Sequence, residues 1–119
     1  MQDFRKLSVL EKAHQLSLAI YKGTMRFPKT ELYGLTSQMR RAGVSIAANI
    51  AEGCGRKGKA EFARFLQISM GSASELEYHL LLAHDLGFLT DDPFHAMTEQ
   101  IIEVKKMLTS LIGKLTSDH

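Results

Sequence analysis

The sequence predicts an all-α domain, an up-down-up-down antiparallel four-helix bundle, and three observations carry that prediction. Apolar residues recur at alternating steps of four and three through four separate stretches, the spacing of a single helix face turned toward neighbouring helices. Only two prolines occur, Pro28 and Pro93, and both fall where a helix would stop or start; a β-rich chain of this length would carry more turn punctuation. The 119 residues, 45% of them hydrophobic, suffice for one core. All of 1–119 reads as one domain, with no low-complexity tract or tandem repeat.

The first helix is expected to begin near Ser8. Ser8-Val9-Leu10-Glu11 has the form of a capping box, in which the hydroxyl accepts from a backbone N–H and the glutamate reaches back. Val9, Ala13, Leu16, Ile20, Gly23 and Phe27 form its stripe, and Pro28 ends it by excluding α geometry at the residue before. The second helix starts near Thr30 or Thr36 and carries Leu35, Met39, Ala42, Ile46, Asn49/Ile50 and Gly53. Gly53, Gly55 and Gly58 then mark a turn, glycine suiting the left-handed position past a helix end. The third helix is expected from Lys59 to Leu86, with Gly87 as its stop. Its stripe is Phe62, Leu66, Ser69, Ala73, Leu76, Leu80, Ala83 and Gly87. The fourth starts with Asp91 or Asp92 as N-cap and Pro93 in the first turn. Phe94, Met97, Ile101, Val104, Leu108, Leu111 and Leu115 follow on one face. Four such helices on short loops pack antiparallel at shallow angles.

Apolar surface is left over. Leu80-Leu81-Leu82-Ala83 covers most of a circumference, and Ile101-Ile102, Met107-Leu108 and Leu111-Ile112 widen the last stripe. Two readings stay open at this level: a generous monomer core, or a surface for self-association.

The second helix also carries a polar stripe, Gln38, Arg41, Ser45, Asn49 and Glu52, and the third offers Ser72, Glu75 and His79 at similar spacing. Leaving a buried polar group unbonded costs about 1–3 kcal/mol. Facing stripes would therefore form a structural network, with Arg41 paired to a carboxylate and Ser45 and Asn49 bonding across the helices. The alternative is a solvated side or a subunit boundary.

Several patterns are decoys. Gly53-Cys54-Gly55-Arg56-Lys57-Gly58-Lys59 fits G-x-G-x-x-G and the first seven places of G-x-x-x-x-G-K-[ST], but both need a strand before the glycines, and the segment before Gly53 is helical. Ala60 stands where the second pattern needs a hydroxyl. The histidines at 14, 79, 84, 95 and 119 make no H-E-x-x-H, and Glu75 with His79 has no companion pair, so neither a metal nor another cofactor is expected. Cys54 has no evident His or Asp partner, so no catalytic thiol and no enzyme activity is expected. As a single cysteine it forms no internal disulfide, which places the chain in a reducing cytoplasm. The first residues lack a signal-type apolar run, and no stretch is long and apolar enough for a membrane span.

The basic residues have a more modest reading. Net charge is +2, with pI about 8.8, which permits nucleic acid without indicating it. Arg56, Lys57 and Lys59 precede a helix N-terminus, with Arg64 one turn inside, and the helix end favours the same anions as the cations do. Phosphate of RNA or DNA is the natural guest; the bland alternative is a solvated loop. Arg40 next to Arg41, and Lys105 next to Lys106, are secondary candidates. No aromatic-interleaved surface for stacking bases is visible.

Leu35-x-x-Gln38-Met39-Arg40-Arg41-Ala42-x-x-Ser45-Ile46-x-x-Asn49-Ile50-Ala51-Glu52-Gly53 resembles the signature of the four-helix bundle proteins encoded in intervening sequences of bacterial 23S ribosomal RNA genes. Phe4-x-Lys6-Leu7, Phe27-Pro28-x-x-Glu31-x-Tyr33-Gly34 and Gly71-Ser72-x-x-Glu75-Leu76 agree in the flanks, so the resemblance spans essentially the whole chain. Leu10 replaces an aromatic usual near the start of helix one. That family is similar in fold to the accessory protein of diversity-generating retroelements. The resemblance implies a homopentameric barrel and raises the nucleic-acid reading of the basic clusters. The expected function is thus a non-enzymatic, homo-oligomeric bundle binding RNA or DNA through Arg56, Lys57, Lys59 and Arg64. The alternative is a scaffold that docks a protein such as a polymerase.

Overall fold

The computed structural model describes residues 4–117, and these contain four long helices and no strand. Helix α1 spans Phe4–Thr24, α2 Leu35–Cys54, α3 Lys59–Asp85 and α4 Asp91–Thr116, with one 3-10 turn at Lys29–Glu31. Each helix touches its two neighbours in the cyclic order α1, α2, α3, α4, leaving α1 diagonal to α3 and α2 to α4. Cross-helix partners run in opposite directions along the chain: Ile46 meets Ser69, Ser45 meets Ser72 and Arg41 meets Glu75. Likewise Gly23 lies against Met97, while Lys12 pairs with Glu103. Neighbours are therefore antiparallel, giving a rod of 49 × 23 × 19 Å.

The periodic stripes become the core. Leu16, Ile20, Met39, Ile46, Ile50, Leu66, Leu76, Leu80, Ile101 and Leu108 are fully buried. Full burial of each such side chain is worth about 1.5–3 kcal/mol. Buried serines bind the helices to one another: Ser17 Oγ donates to the Gly43 carbonyl at 2.9 Å and Ser69 Oγ to the Ile46 carbonyl at 2.8 Å.

The helix ends depart from expectation in instructive ways. Helix α1 begins at Phe4 rather than near Ser8, because nothing in the preceding turn breaks it. The Glu11 carboxylate looks forward, accepting from Gln15 Nε2 at 3.0 Å, instead of back to Ser8. It ends at Thr24, four residues before Pro28, although Phe27 still reaches the core and packs on Phe88. Helix α2 begins at Leu35, whose N–H is capped by the Glu31 carboxylate at 3.2 Å. Gly53 is not in the turn: it lies in the last turn of α2 and is buried. Gly55 takes ordinary right-handed geometry (φ −87°), and the left-handed residue is Gly58 (φ 85°), which serves as N-cap of α3. Gly87 is the expected stop, left-handed at φ 83°. Its N–H donates to His84 O and that of Phe88 to Ala83 O, the paired bonds of a Schellman end. The N-cap of α4 is Thr90, not an aspartate; Asp91 instead binds His84 Nε2 at 2.7 Å and closes the α3–α4 hairpin.

Much of the apolar excess on α3 and α4 is core: Leu80, Ala83, Ile101, Leu108, Leu111 and Ile112 are buried, with Leu82 and Met107 packed against them. Leu81 and Ile102 stay exposed.

Candidate nucleic-acid interface

The four-residue turn between α2 and α3 exists because the two helices approach closely just before it. A Cβ added at Gly53 would lie 2.8 Å from Phe62 Cδ1 and 3.0 Å from Phe65 Cβ, so only glycine lets the end of α2 lie flat on the start of α3. That contact brings residues 55–59 over the first turns of α3. Arg56, Lys57, Lys59 and Arg64 are all exposed at this one end of the rod. Helix α3 opens here with no side-chain cap, its N-cap being Gly58. Its first N–H groups therefore lie beside these exposed cations, at the helix end that favours anions.

The two arginines are held, not loose. Arg56 Nη2 donates to Glu52 Oε2 at 2.6 Å, and Arg64 donates through Nε and Nη2 to both oxygens of Glu61, at 3.1 and 3.3 Å. The bond from Arg64 holds the Glu61 carboxyl below its usual range. Both guanidinium groups also lie over the Phe65 ring, at 4.9 Å for Arg56 and 4.6 Å for Arg64. An aromatic therefore does interleave with the cations, against the reading of the bare sequence. Phe65 is separated from Arg56 by nine positions, and only the turn joins them. The sequence signals were its adjacency to Arg64 and its i+3 spacing from Phe62, which read as ordinary packing. Lys57 makes no ion pair among the described residues.

The other basic candidates lie elsewhere. Arg40 is 14 residues before Cys54 on α2, roughly 21 Å along the axis at 1.5 Å per residue. Its Nε donates to Thr24 Oγ1 at 2.9 Å and its guanidinium covers Tyr21 at 4.8 Å, so it binds α2 to α1. Lys105 is half-buried and pairs with Glu77 across α3–α4 at 2.9 Å. Lys106 is exposed beside it, lining a shallow apolar groove with Met107, Ser110, Leu111 and Lys114.

Part of the polar stripe forms a network between α2 and α3. Ser45 Oγ and Ser72 Oγ are 2.8 Å apart across the helices, whereas Asn49, expected to bond across as well, donates through Nδ2 within α2, to the carbonyl and the hydroxyl of Ser45 at 2.8 and 3.0 Å. Arg41 meets Glu75 at 3.3 Å, and Glu75 lies 3.6 Å from His79 Nε2. Burial is the main reason the His79 pKa is lowered; Glu75 opposes the shift and Arg41 adds to it. Gln38 and Glu52 stand outside: Gln38 is exposed without a side-chain bond among the described residues, and Glu52 serves Arg56.

Two apolar faces remain on opposite sides of the rod. One is the α1–α2 groove, where Leu18, Tyr21 and Val44 are 43–45% exposed beside Ala48 and Ala51. The other is the α3–α4 side, where Tyr78 is 59% exposed, Leu81 47% and Ile102 39%. The α1–α2 face was not foreseen, because each of its residues reads singly as scatter off a core stripe.

Among the described residues no three His, Cys, Asp or Glu side chains gather as a metal site, and no helix is long and apolar enough to cross a membrane. A family model described as 23S rRNA-intervening sequence protein matches residues 5–110. The chain is also similar to a protein of unknown function from the S23 ribosomal protein family of Bacteroides thetaiotaomicron VPI-5482, seen in a 1.70 Å crystal structure. The TM-score is 0.82 and the identity 27%, with 92% of this chain and 98% of that one covered. No curated protein matches.

Proposed function

Since the chain belongs to the 23S rRNA-intervening sequence protein family, we propose that it is a non-enzymatic, ring-forming bundle that binds nucleic acid, RNA above all, through the turn between α2 and α3. The observation carrying this reading is the exposed basic run Arg56, Lys57 and Lys59 at the uncapped N-terminus of α3. An anion there would be favoured by the helix end and by the neighbouring exposed lysines, Lys57 and Lys59. One such site is modest. Its strength comes from repetition, since linked copies raise avidity without new contacts.

The two apolar faces support the ring. They differ in composition and lie on opposite sides, so a second copy would join head to tail, α1–α2 face against α3–α4 face. Such a contact repeats, and it closes into a ring where the rotation between copies divides a full turn. Five copies is the number the family resemblance implies. Each copy would then present its α2–α3 turn at the same end of the ring.

The binding test is retention of a structured RNA on a filter at low salt, with log affinity falling linearly in log salt. Alanine at 56, 57 and 59 together should remove most of it. Absence of RNA and DNA binding at 50 mM salt would end the reading, and partners captured through nuclease treatment would favour the docking scaffold instead. For the ring, Leu18→Glu and Leu81→Glu should each give a monomer by mass, while an equal mixture should give a one-to-one dimer, because each variant keeps the face the other has lost. A Leu81→Glu protein that dimerises alone would mean like faces meet.

A further inference from the structure

The stacked arginines decide which form of nucleic acid the turn would read. We infer that Arg56 and Arg64, gathered over Phe65, form a stacking platform for unpaired nucleobases, so that the interface takes single-stranded segments in preference to duplex. This deepens the nucleic-acid reading above and rests on it.

A guanidinium donates hydrogen bonds only in its own plane, and its edge is what clamps a phosphate. Here each edge is partly engaged: Glu52 accepts from Arg56 Nη2 at 2.6 Å, and both oxygens of Glu61 accept from Nε and Nη2 of Arg64 at 3.1 and 3.3 Å. A phosphate approaching these same N–H groups would have to displace the carboxylates. The guanidinium faces are a different matter. The central carbon of each guanidinium lies over the Phe65 ring, 4.9 and 4.6 Å from its centroid, and the side chains remain 47% and 56% exposed. The outer face of a guanidinium is poorly hydrated and stacks on flat π systems. Bases splayed from loops and ends of RNA stack on such planes. In a duplex the faces of the bases are already covered by their neighbours. Lys57, without an ion pair among the described residues, stays available for the backbone phosphate.

The carboxylates thus have a role that simple charge counting misses. They lower the net positive charge of the turn and at the same time fix the orientation of both planes. An interface working by charge alone would favour duplex, whose charge is the denser.

The experiment compares fluorescence anisotropy of the full-length protein with a labelled 12-nucleotide single-stranded RNA, the same sequence as DNA, and the RNA duplex. The wild type should bind both single strands at least about tenfold more tightly than the duplex, stacking being sequence-tolerant and worth that much. The variant R56K with R64K keeps every charge and loses both planes. It should lose the single-strand advantage, the ratio of single-strand to duplex affinity falling to about one. Phe65→Leu, checked for helicity by circular dichroism, should act in the same direction. Equal or tighter duplex binding by the wild type, or an undiminished preference in the lysine variant, overturns the platform and leaves general nucleic-acid binding standing. No binding of any of the three probes removes both.

Discussion

Replacing Gly53 by alanine tests the close approach on which the α2–α3 turn depends. The new Cβ would meet Phe62 Cδ1 at 2.8 Å, Phe62 Cε1 at 3.2 Å and Phe65 Cβ at 3.0 Å. Phe65 Cβ is fixed to the α3 backbone and cannot swing away as a chain end can, so the helices must separate or the Phe62 ring must turn. Overpacking of this kind costs about 1–3 kcal/mol. Alanine is meanwhile favoured over glycine inside a helix by roughly 0.8–1 kcal/mol. Gly71, inside α3, has no atom within 4 Å of its added Cβ, so Gly71→Ala carries the helix-propensity gain alone. The two variants share that gain, and the stability gap between them isolates the steric cost at about 1–3 kcal/mol. The assay is urea denaturation followed by helix circular dichroism, with all proteins at one concentration, because self-association would shift the midpoint by mass action. Gly71→Ala should be stabilised, and Gly53→Ala neutral to destabilised by about 2 kcal/mol. An equal gain in both variants would refute the argument that glycine at 53 sets the helix spacing.

Other outcomes follow from particular groups. The His79 pKa lies below the ordinary 6.5, burial being the largest cause, so the unfolded chain takes up the proton first. Stability is full above about pH 6.5 and falls as pH drops from there toward the lowered folded value; His79→Gln should flatten the change in urea midpoint between pH 7.5 and 5.5. Removing the buried Ser69 hydroxyl, which donates to Ile46 O at 2.8 Å, should cost about 1 kcal/mol, against near zero for exposed Ser110→Ala in the same melts. At Gly87, φ 83° is costly for any residue with a Cβ; Gly87→Ala should lose about 1 kcal/mol by thermal denaturation although open space surrounds it.

What was legible in the sequence was what repeats locally. A stripe such as Val9, Ala13, Leu16 and Ile20 states its own burial, because the period of a helix is a property of the backbone and needs no partner. The pairings of Arg41 with Glu75 and of Ser45 with Ser72 were also within reach, since two polar stripes at matching spacing on adjacent antiparallel helices have few other ways to be satisfied. Capping was less legible: Glu31, four positions before Leu35, does the work assigned elsewhere, since any nearby carboxylate can reach a helix end once a turn has brought it there.

By itself the sequence determined four amphipathic helices, their order, and the class of bundle they build, through apolar spacing that each helix carries internally. Tertiary structure alone decided that Arg56 and Arg64 share the ring of Phe65, that their edges are partly engaged by Glu52 and Glu61, and that apolar surface survives on two opposite sides. The reason is distance. These features depend on how closely α2 and α3 approach at Gly53 and on how far each groove is filled, quantities fixed by the packed solid and not by the period of any one helix.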